Sequence, residues 1–109
     1  MEKDNKIFLG HILKSCNEIT QFIDGLDEDE FLRNRQLQLA VIKSIEIIGE
    51  ATKRLSSEFR KKYNHIPWDD MSGMRDKLTH GYMDVNYRTV WDVAVKDIPQ
   101  LISAIEKLL

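Results

Sequence analysis

Hydrophobic residues recur at steps of three and four positions along most of the chain, which is the spacing of amphipathic α-helices. The first series predicts a helix over about residues 4–25 and consists of Leu9, Ile12, Cys16, Ile19, Ile23 and Leu26. Gly25 and the acidic run 27–30 mark the end of this helix and the start of the next, because acidic residues are favoured at a helix N-terminus. We therefore expect Cys16 to pack in a helical core.

A second helix is predicted over about residues 28–55, and its apolar residues cover more than one face. One stripe consists of Leu37, Val41, Ile45, Ile48 and Leu55, and a second set consists of Leu39, Ile42 and Ile47. Such a helix is either central in a bundle or shared with a partner chain. On the remaining polar face, Glu46 and Glu50 either orient a catalytic group or form ion pairs within the helix, such as Glu50 with Arg54. We assign both residues to ion pairs and not to catalysis.

The rest of the chain predicts three further helical segments. A short helix over about 57–63 is followed by a helix that starts at Pro67, in which Gly73 should admit a close neighbour, either backbone or RNA. The last helix, over about 87–109, should be kinked by Pro99 and packed through Trp91 rather than stacked on a base. The predicted fold is all-α, an antiparallel bundle of four to five helices in one domain, residues 1–109.

One segment before the last helix combines a permanent cation, an acid/base group and a phenol. It reads Arg75-Asp76-Lys77-Leu78-Thr79-His80-Gly81-Tyr82. Arg neutralises a phosphate in any protonation state, and His both accepts and donates protons near pH 7, so the set suits phosphodiester cleavage. On an α-helix Arg75 and Tyr82 share nearly one face, whereas Arg75 and His80 lie about 140° apart. Spacing alone also fits a helix ending, in which His precedes a Gly.

The motifs around this segment resemble the HepT-like branch of the HEPN superfamily. The matching stretches are Ile48-Gly49-Glu50-Ala51-Thr52-Lys53-Arg54-Leu55-Ser56, Ile66-Pro67-Trp68, Gly73-Met74-Arg75, His80-Gly81-Tyr82-Met83-Asp84-Val85 and Val90-Trp91-Asp92-Val93. Their order and gaps match as well, and the resemblance extends from about Ile7 to Leu109. It favours a site over a simple helix ending.

The resemblance implies a function that the composition of the chain alone does not indicate. HepT-like proteins are small helical toxins encoded beside a minimal nucleotidyltransferase antitoxin, and they act as homodimeric, metal-independent RNases through an R-x4-H-x-Y motif. That motif maps onto Arg75 and His80 as catalytic residues and onto Tyr82, to which the antitoxin attaches AMP. No metal and no cofactor are implied. This chain has Asp76 where relatives often have Asn, which places a negative charge near an RNA phosphate.

The net charge and the distribution of charges bear on the binding of RNA in opposite directions. The net charge of −2 argues mildly against a tight, non-specific nucleic-acid binder. Residues 53–77 nevertheless hold seven basic residues against four acidic ones, whereas residues 1–30 hold eight acidic residues against three basic ones. The basic excess falls next to the motif, although an ordinary solvated helical surface has the same pattern.

Other features of the sequence bear on the cellular location of the protein and on the kinds of site that it can contain. The single cysteine cannot form an internal disulfide, the N-terminus lacks a signal-peptide pattern, and no apolar run approaches the roughly 18 residues of a membrane span. A cytoplasmic location is therefore expected. The spacing of His, Cys and carboxylates is not that of a metal site, and the sequence contains neither a P-loop nor a G-x-G-x-x-G motif.

The hypothesis from sequence is that the ribose 2′-OH of RNA cleaves its own phosphodiester with help from the motif. His80 would act as general base or acid, and Arg75 would stabilise the charge of the transition state. A two-fold dimer would supply a second His80, and association would also help a domain this small. The alternative is a non-catalytic helical subunit that binds a nucleotidyltransferase and carries Tyr82 as its substrate. The sequence does not identify the RNA.

Overall fold

The computed structural model describes residues 3–78 and 84–109, and the regular elements in these ranges are all helical. They are α1 (Lys3–Ile23), α2 (Glu28–Leu32), α3 (Arg35–Arg54), α4 (Ser57–Lys62), α5 (Trp68–Ser72), a 3₁₀ helix (Met74–Leu78), α6 (Tyr87–Asp92), a π-helical segment (Val93–Asp97) and α7 (Ile98–Glu106). The predicted all-α bundle is confirmed. Over the two described ranges, each helix is too short or too polar to cross a membrane.

Helices α1 and α3 form the centre of the bundle and run antiparallel. Asn5, near the start of α1, is buried and pairs twice with Ser56, just beyond the end of α3. Its Nδ2 donates to Ser56 Oγ at 3.2 Å, and its Oδ1 accepts from the Ser56 N–H at 3.0 Å. Because a buried polar group is costly unless it is hydrogen-bonded, this pair fixes the register of the two helices.

Most residues of the two apolar stripes predicted from sequence are buried, whereas Ile23, Leu26 and Leu37 are half-buried. The fully buried apolar side chains of α1 and α3 are Leu9, Ile12, Cys16, Ile19, Val41, Ile45 and Ile48. Desolvation raises the pKa of the Cys16 thiol to about 12, so the thiol is protonated and unreactive at neutral pH. The predicted core position of Cys16 is confirmed.

The single helix predicted over residues 28–55 is wrong, because the chain breaks between α2 and α3. Asn34 caps α3, and its side-chain oxygen accepts from the Leu37 N–H at 3.0 Å. Asn satisfies a free N–H at a helix start better than it supports a helix interior. Gln38 then ties the two helices together by donating to the carbonyls of the last two α2 residues at 3.1 Å.

The helix predicted to start at Pro67 is likewise divided. Helix α5 ends at Ser72, Gly73 follows with φ −96°, and the chain continues as the 3₁₀ helix Met74–Leu78. The Asp76 N–H donates to the Gly73 carbonyl at 3.0 Å, a bond that spans three residues. A 3₁₀ helix turns about 120° per residue, so α-helical spacing does not hold around Arg75. The predicted shared face of Arg75 and Tyr82 involves a residue outside the described ranges.

Gly73 was expected to admit a close neighbour, either backbone or RNA, and the close approach of another backbone is found at Gly49 instead. A Cβ added at Gly73 would lie 3.4 Å from the Asp69 carbonyl oxygen, which is an ordinary contact. A Cβ added at Gly49 would lie 3.3 Å from the carbonyl oxygen of Ser72 and 3.5 Å from that of Met71. Gly49 therefore lets α3 pack directly against the C-terminal end of α5.

The C-terminal helical region, for which a kink at Pro99 was predicted, is interrupted by a π-helical segment that ends just before α7. Helix α6 passes into the π-helical segment Val93–Asp97, and Pro99 lies in the first turn of α7. Because Pro lacks an N–H and its ring crowds the preceding turn, regular α-helical bonding cannot pass through it. Trp91 is half-buried, and its ring centroid lies 5.4 Å from that of Phe31, in agreement with the predicted packing role.

Candidate active site

Of the three motif residues, Arg75 lies within the described part of the chain, whereas His80 and Tyr82 lie outside it. Arg75 is carried by the 3₁₀ helix, whose Met74 and Leu78 are buried. Its own side chain is 56% exposed, so it is accessible to a ligand while its helix is anchored. Among the described residues, no group of three or more His, Cys, Asp or Glu is placed to hold a metal ion.

Glu46 on α3 holds the guanidinium of Arg75. The Arg75 Nε donates to Glu46 Oε1 at 3.0 Å, although the two residues are 29 positions apart in sequence. The second carboxylate oxygen, Oε2, lies 3.9 Å from Lys43 Nζ. The intrahelical pair predicted at Glu46 is thus formed with Lys43, but the shorter contact with Arg75 was not predicted from sequence. The polar face of α3 could be seen in the sequence, but it did not indicate that Arg75 is a partner of Glu46.

Glu50, one turn further along α3, makes a different contact. Its Oε1 lies 3.6 Å from Lys53 Nζ, so the intrahelical ion pair is formed with Lys53 and not with the predicted Arg54. Both side chains of this pair are more than half exposed. Both carboxylates therefore take part in an intrahelical ion pair, and Glu46 in addition makes the shorter contact with Arg75.

The contact between Glu46 and Arg75 affects geometry more than stability. Both side chains are partly exposed, and surface ion pairs contribute only about 0–1 kcal/mol. A charge-assisted bond at 3.0 Å still orients the guanidinium plane. The bond uses the Nε donor, and the terminal nitrogens have no hydrogen-bond partner among the described residues. These nitrogens form a fork that matches two oxygens of a phosphate.

A hollow of about 200 Å³ opens beside Arg75, between α3 and the end of α5. It is lined by Glu46, Gly49, Glu50, Lys53, Ser72, Arg75 and Asp76. Three carboxylates against two cations give the lining a formal charge of −1. An anionic ligand would therefore reach Arg75 through a locally negative surface. Asp76 is exposed and contributes one of these negative charges without an ion pair among the described residues.

A larger hollow of about 520 Å³ lies at the N-terminal end of α5. It is lined by Ser57, Arg60, Lys61, Asn64, Ile66, Pro67, Trp68, Asp69 and Asp70. The Nε of Arg60 is buried and lacks a hydrogen-bond partner within residues 3–78 and 84–109. The basic excess predicted near the motif is thus divided, with Lys53 beside Arg75 and with Arg60 and Lys61 of α4 at the other end of α5.

The family model for HepT-like ribonucleases matches residues 12–108 of the chain. A candidate RNase of Caldanaerobacter subterraneus subsp. tengcongensis is 40% identical over 107 residues, which cover 98% of this chain and 96% of that protein. The probable ribonuclease HepT of Thermococcus cleftensis is 38% identical over 108 residues, which cover 99% of this chain and 98% of that protein.

A protein of Methanocaldococcus jannaschii, named as a gamma-glutamylcyclotransferase and candidate RNase, is 49% identical over 109 residues. The match covers all of this chain but only 49% of that longer protein. No solved structure is significantly similar to the chain. Whole-length similarity to two relatives and the match of the family model establish that the chain belongs to the HepT-like ribonuclease family.

Proposed function

We propose that the protein is a metal-independent endoribonuclease and the toxin of a toxin–antitoxin system. Membership of the HepT-like ribonuclease family supports RNA cleavage in general. The observation that carries the proposal is the exposed guanidinium of Arg75, oriented by a carboxylate on a neighbouring helix. It stands at the first position of the R-x4-H-x-Y motif, five residues before His80.

In the proposed reaction the ribose 2′-oxygen attacks the adjacent phosphorus while His80 takes the 2′-OH proton. The bond from phosphorus to the 5′-oxygen breaks, and a general acid donates a proton to that leaving oxygen. The products are a 2′,3′-cyclic phosphate and a free 5′-hydroxyl. The Nη fork of Arg75 stabilises the negative charge that builds on the phosphate oxygens. His80 of a second protomer is our candidate for the acid.

Two exposed apolar residues support a homodimer that uses α3. Leu39 is 50% exposed and Ile47 is 38% exposed, and their spacing of eight residues places them along one side of the helix. They belong to the second apolar set that the sequence left either inside the bundle or shared with a partner. A partner chain on this surface would border Glu46 and the hollow beside Arg75.

The proposed partner of the homodimer is a minimal nucleotidyltransferase that acts as antitoxin. Tyr82 would be its target, seven residues after Arg75 in sequence. Attached AMP brings a phosphate, a ribose and a base, and its anion would compete with RNA for the guanidinium. The proposed inhibition is therefore both steric and electrostatic.

The test of this function is an analysis of RNA products made by the purified protein in excess EDTA. We expect single-stranded RNA to be cut into fragments that end in a 2′,3′-cyclic phosphate and begin with a 5′-hydroxyl. Fragments with a 5′-phosphate, or a reaction that EDTA stops, would refute the mechanism. A folded protein that cuts no RNA but binds the nucleotidyltransferase would instead support the non-catalytic alternative.

A further inference from the structure

We infer that Glu46 is a positioning residue of the site, which aims the Nη fork of Arg75 at the scissile phosphate. This inference rests on the proposed function, since it assigns a task to the guanidinium that would bind the phosphate. The observation behind it is the bond from Arg75 Nε to Glu46 Oε1 at 3.0 Å.

Both partners of this bond are mounted on anchored backbone. On α3, Glu46 follows Ile45, which is 0% exposed, and on the 3₁₀ helix Arg75 follows Met74, which is 5% exposed. Gly49, three residues after Glu46, allows the end of α5 to pack closely on α3. The exposed side chain of Arg75 is long and flexible. A fixed carboxylate that holds its guanidinium limits the orientations that this group can adopt.

The atom that Glu46 contacts determines what remains for a ligand. A carboxylate bound across both Nη groups would block the end of the fork. The contact at Nε instead leaves that end for two phosphate oxygens. The other oxygen of the carboxylate, Glu46 Oε2, lies 3.9 Å from Lys43 Nζ.

If Glu46 acted only through its negative charge, its removal would be expected to help the site and not to harm it. The hollow beside Arg75 is formally negative, so a charge effect predicts that loss of any lining carboxylate improves the binding of RNA. Glu50 lines the same hollow but pairs with Lys53 and not with Arg75. Glu50 is therefore a matched control, since it carries the same charge without the proposed positioning contact.

The experiment compares Glu46→Ala, Glu46→Gln and Glu50→Ala in steady-state cleavage of a single-stranded RNA. We expect Glu46→Ala to lower kcat by about ten- to a hundredfold, as misaligned catalytic groups do. Glu46→Gln keeps an oxygen that can accept from Nε, so it should recover at least part of this loss. Glu50→Ala should keep kcat and leave KM equal or lower. The unfolding midpoint of each variant should stay within about 4 °C of the parent protein.

A second background tests whether Glu46 acts through Arg75. Lys lacks both the Nε donor and the planar fork, so in an Arg75→Lys protein the further change Glu46→Ala should lower kcat by less than about threefold. The inference is overturned if Glu46→Ala behaves like Glu50→Ala, if Glu46→Gln is no better than Glu46→Ala, or if the loss persists in full in the Lys background. Full activity of Arg75→Ala would instead overturn the proposed function itself.

Discussion

Gly49 of α3 faces the carbonyl group of Ser72 at the end of α5, and a Cβ at Gly49 would lie 3.3 Å from that oxygen. Glu46 precedes Gly49 by three residues, and Arg75 follows Ser72 by three residues. The contact between the two backbones therefore sets the separation across which Arg75 Nε reaches Glu46 Oε1. A change at Gly49 should alter the site without touching any of its side chains.

Gly49→Ala should reduce RNA cleavage more than it changes stability. Replacing Gly by Ala inside a helix gains up to about 1 kcal/mol, but here the new methyl group must push the Ser72 carbonyl away by a few tenths of an ångström. The two effects on stability oppose each other, whereas the shift of α5 directly displaces Arg75. The measurements are the unfolding midpoint and kcat.

Gly10 provides the control for this substitution. It is exposed on α1, and a Cβ there would meet nothing within 4 Å. Gly10→Ala should therefore raise stability by up to about 1 kcal/mol and leave cleavage unchanged. Equal stabilisation by both substitutions, with cleavage at the parent rate in both, would contradict the role assigned to Gly49.

Asp76→Asn should strengthen the binding of RNA. The substitution removes one negative charge from the hollow beside Arg75, while the backbone bond from Asp76 to Gly73 is unaffected. We expect KM to fall by about two- to fivefold at low salt and the difference to shrink at high salt, because ions screen exposed charges. Exposed Asp24, in the turn after α1, serves as control, and Asp24→Asn should leave KM unchanged. A KM that is unchanged or higher in Asp76→Asn would oppose this account.

The fold could be predicted because its buried residues follow helical spacing, and stripes such as Ile12 with Cys16 need no knowledge of distant partners. Breaks in the helices were harder to predict. Asn34 lies in the polar run 33–36, just before the apolar stripe that begins at Leu37, and its cap to Leu37 shows that a new helix begins there. At Gly73 the helical spacing of buried residues continues, although the hydrogen bonding changes to that of a 3₁₀ helix.

The candidate site could be predicted only in part. Arg75 could be identified as a candidate because the motif is a short local sequence. Its contact with Glu46 joins residues 29 positions apart and depends on how α3 packs against α5. Helix periodicity places Glu46 on an exposed polar face, where a pair with a neighbour one turn away is the simpler interpretation. Gly73 was predicted to admit a close neighbour because it lies inside a predicted helix. Tertiary packing and not local pattern decides which glycine meets another backbone, and here that glycine is Gly49.

The proposed homodimer predicts a solution mass near twice 12.8 kDa in multi-angle light scattering. Joint Leu39→Glu and Ile47→Glu should give folded monomers, because both side chains are partly exposed in the single chain and charges oppose burial in an interface. Leu109, which is 56% exposed at the C-terminus, is the control, and Leu109→Glu should remain dimeric. A parent protein with a mass near 12.8 kDa at micromolar concentration would exclude the dimer.

Tyr82 should carry AMP when the protein is co-expressed with its partner nucleotidyltransferase. Intact-mass measurement should show increments of whole AMP units that map to Tyr82, together with lost RNase activity. Tyr82→Phe should abolish these increments, whereas Tyr87→Phe should not, since the Tyr87 hydroxyl already accepts a hydrogen bond from Arg35. An unmodified but fully inhibited protein would show that the antitoxin acts by binding alone.

The most direct test of the central claim is RNA cleavage by Arg75→Ala and His80→Ala in excess EDTA, beside the parent protein. Arg88→Ala is the control, because Arg88 is also an exposed arginine next to a carboxylate. Its Nη1 lies 3.7 Å from Oε1 of Glu28 on α2. We predict that the parent and Arg88→Ala cut RNA equally, and that the two motif variants fold but lose about 10² to 10⁴ in rate. Cleavage at the parent rate by both motif variants would contradict the assignment of Arg75 and His80.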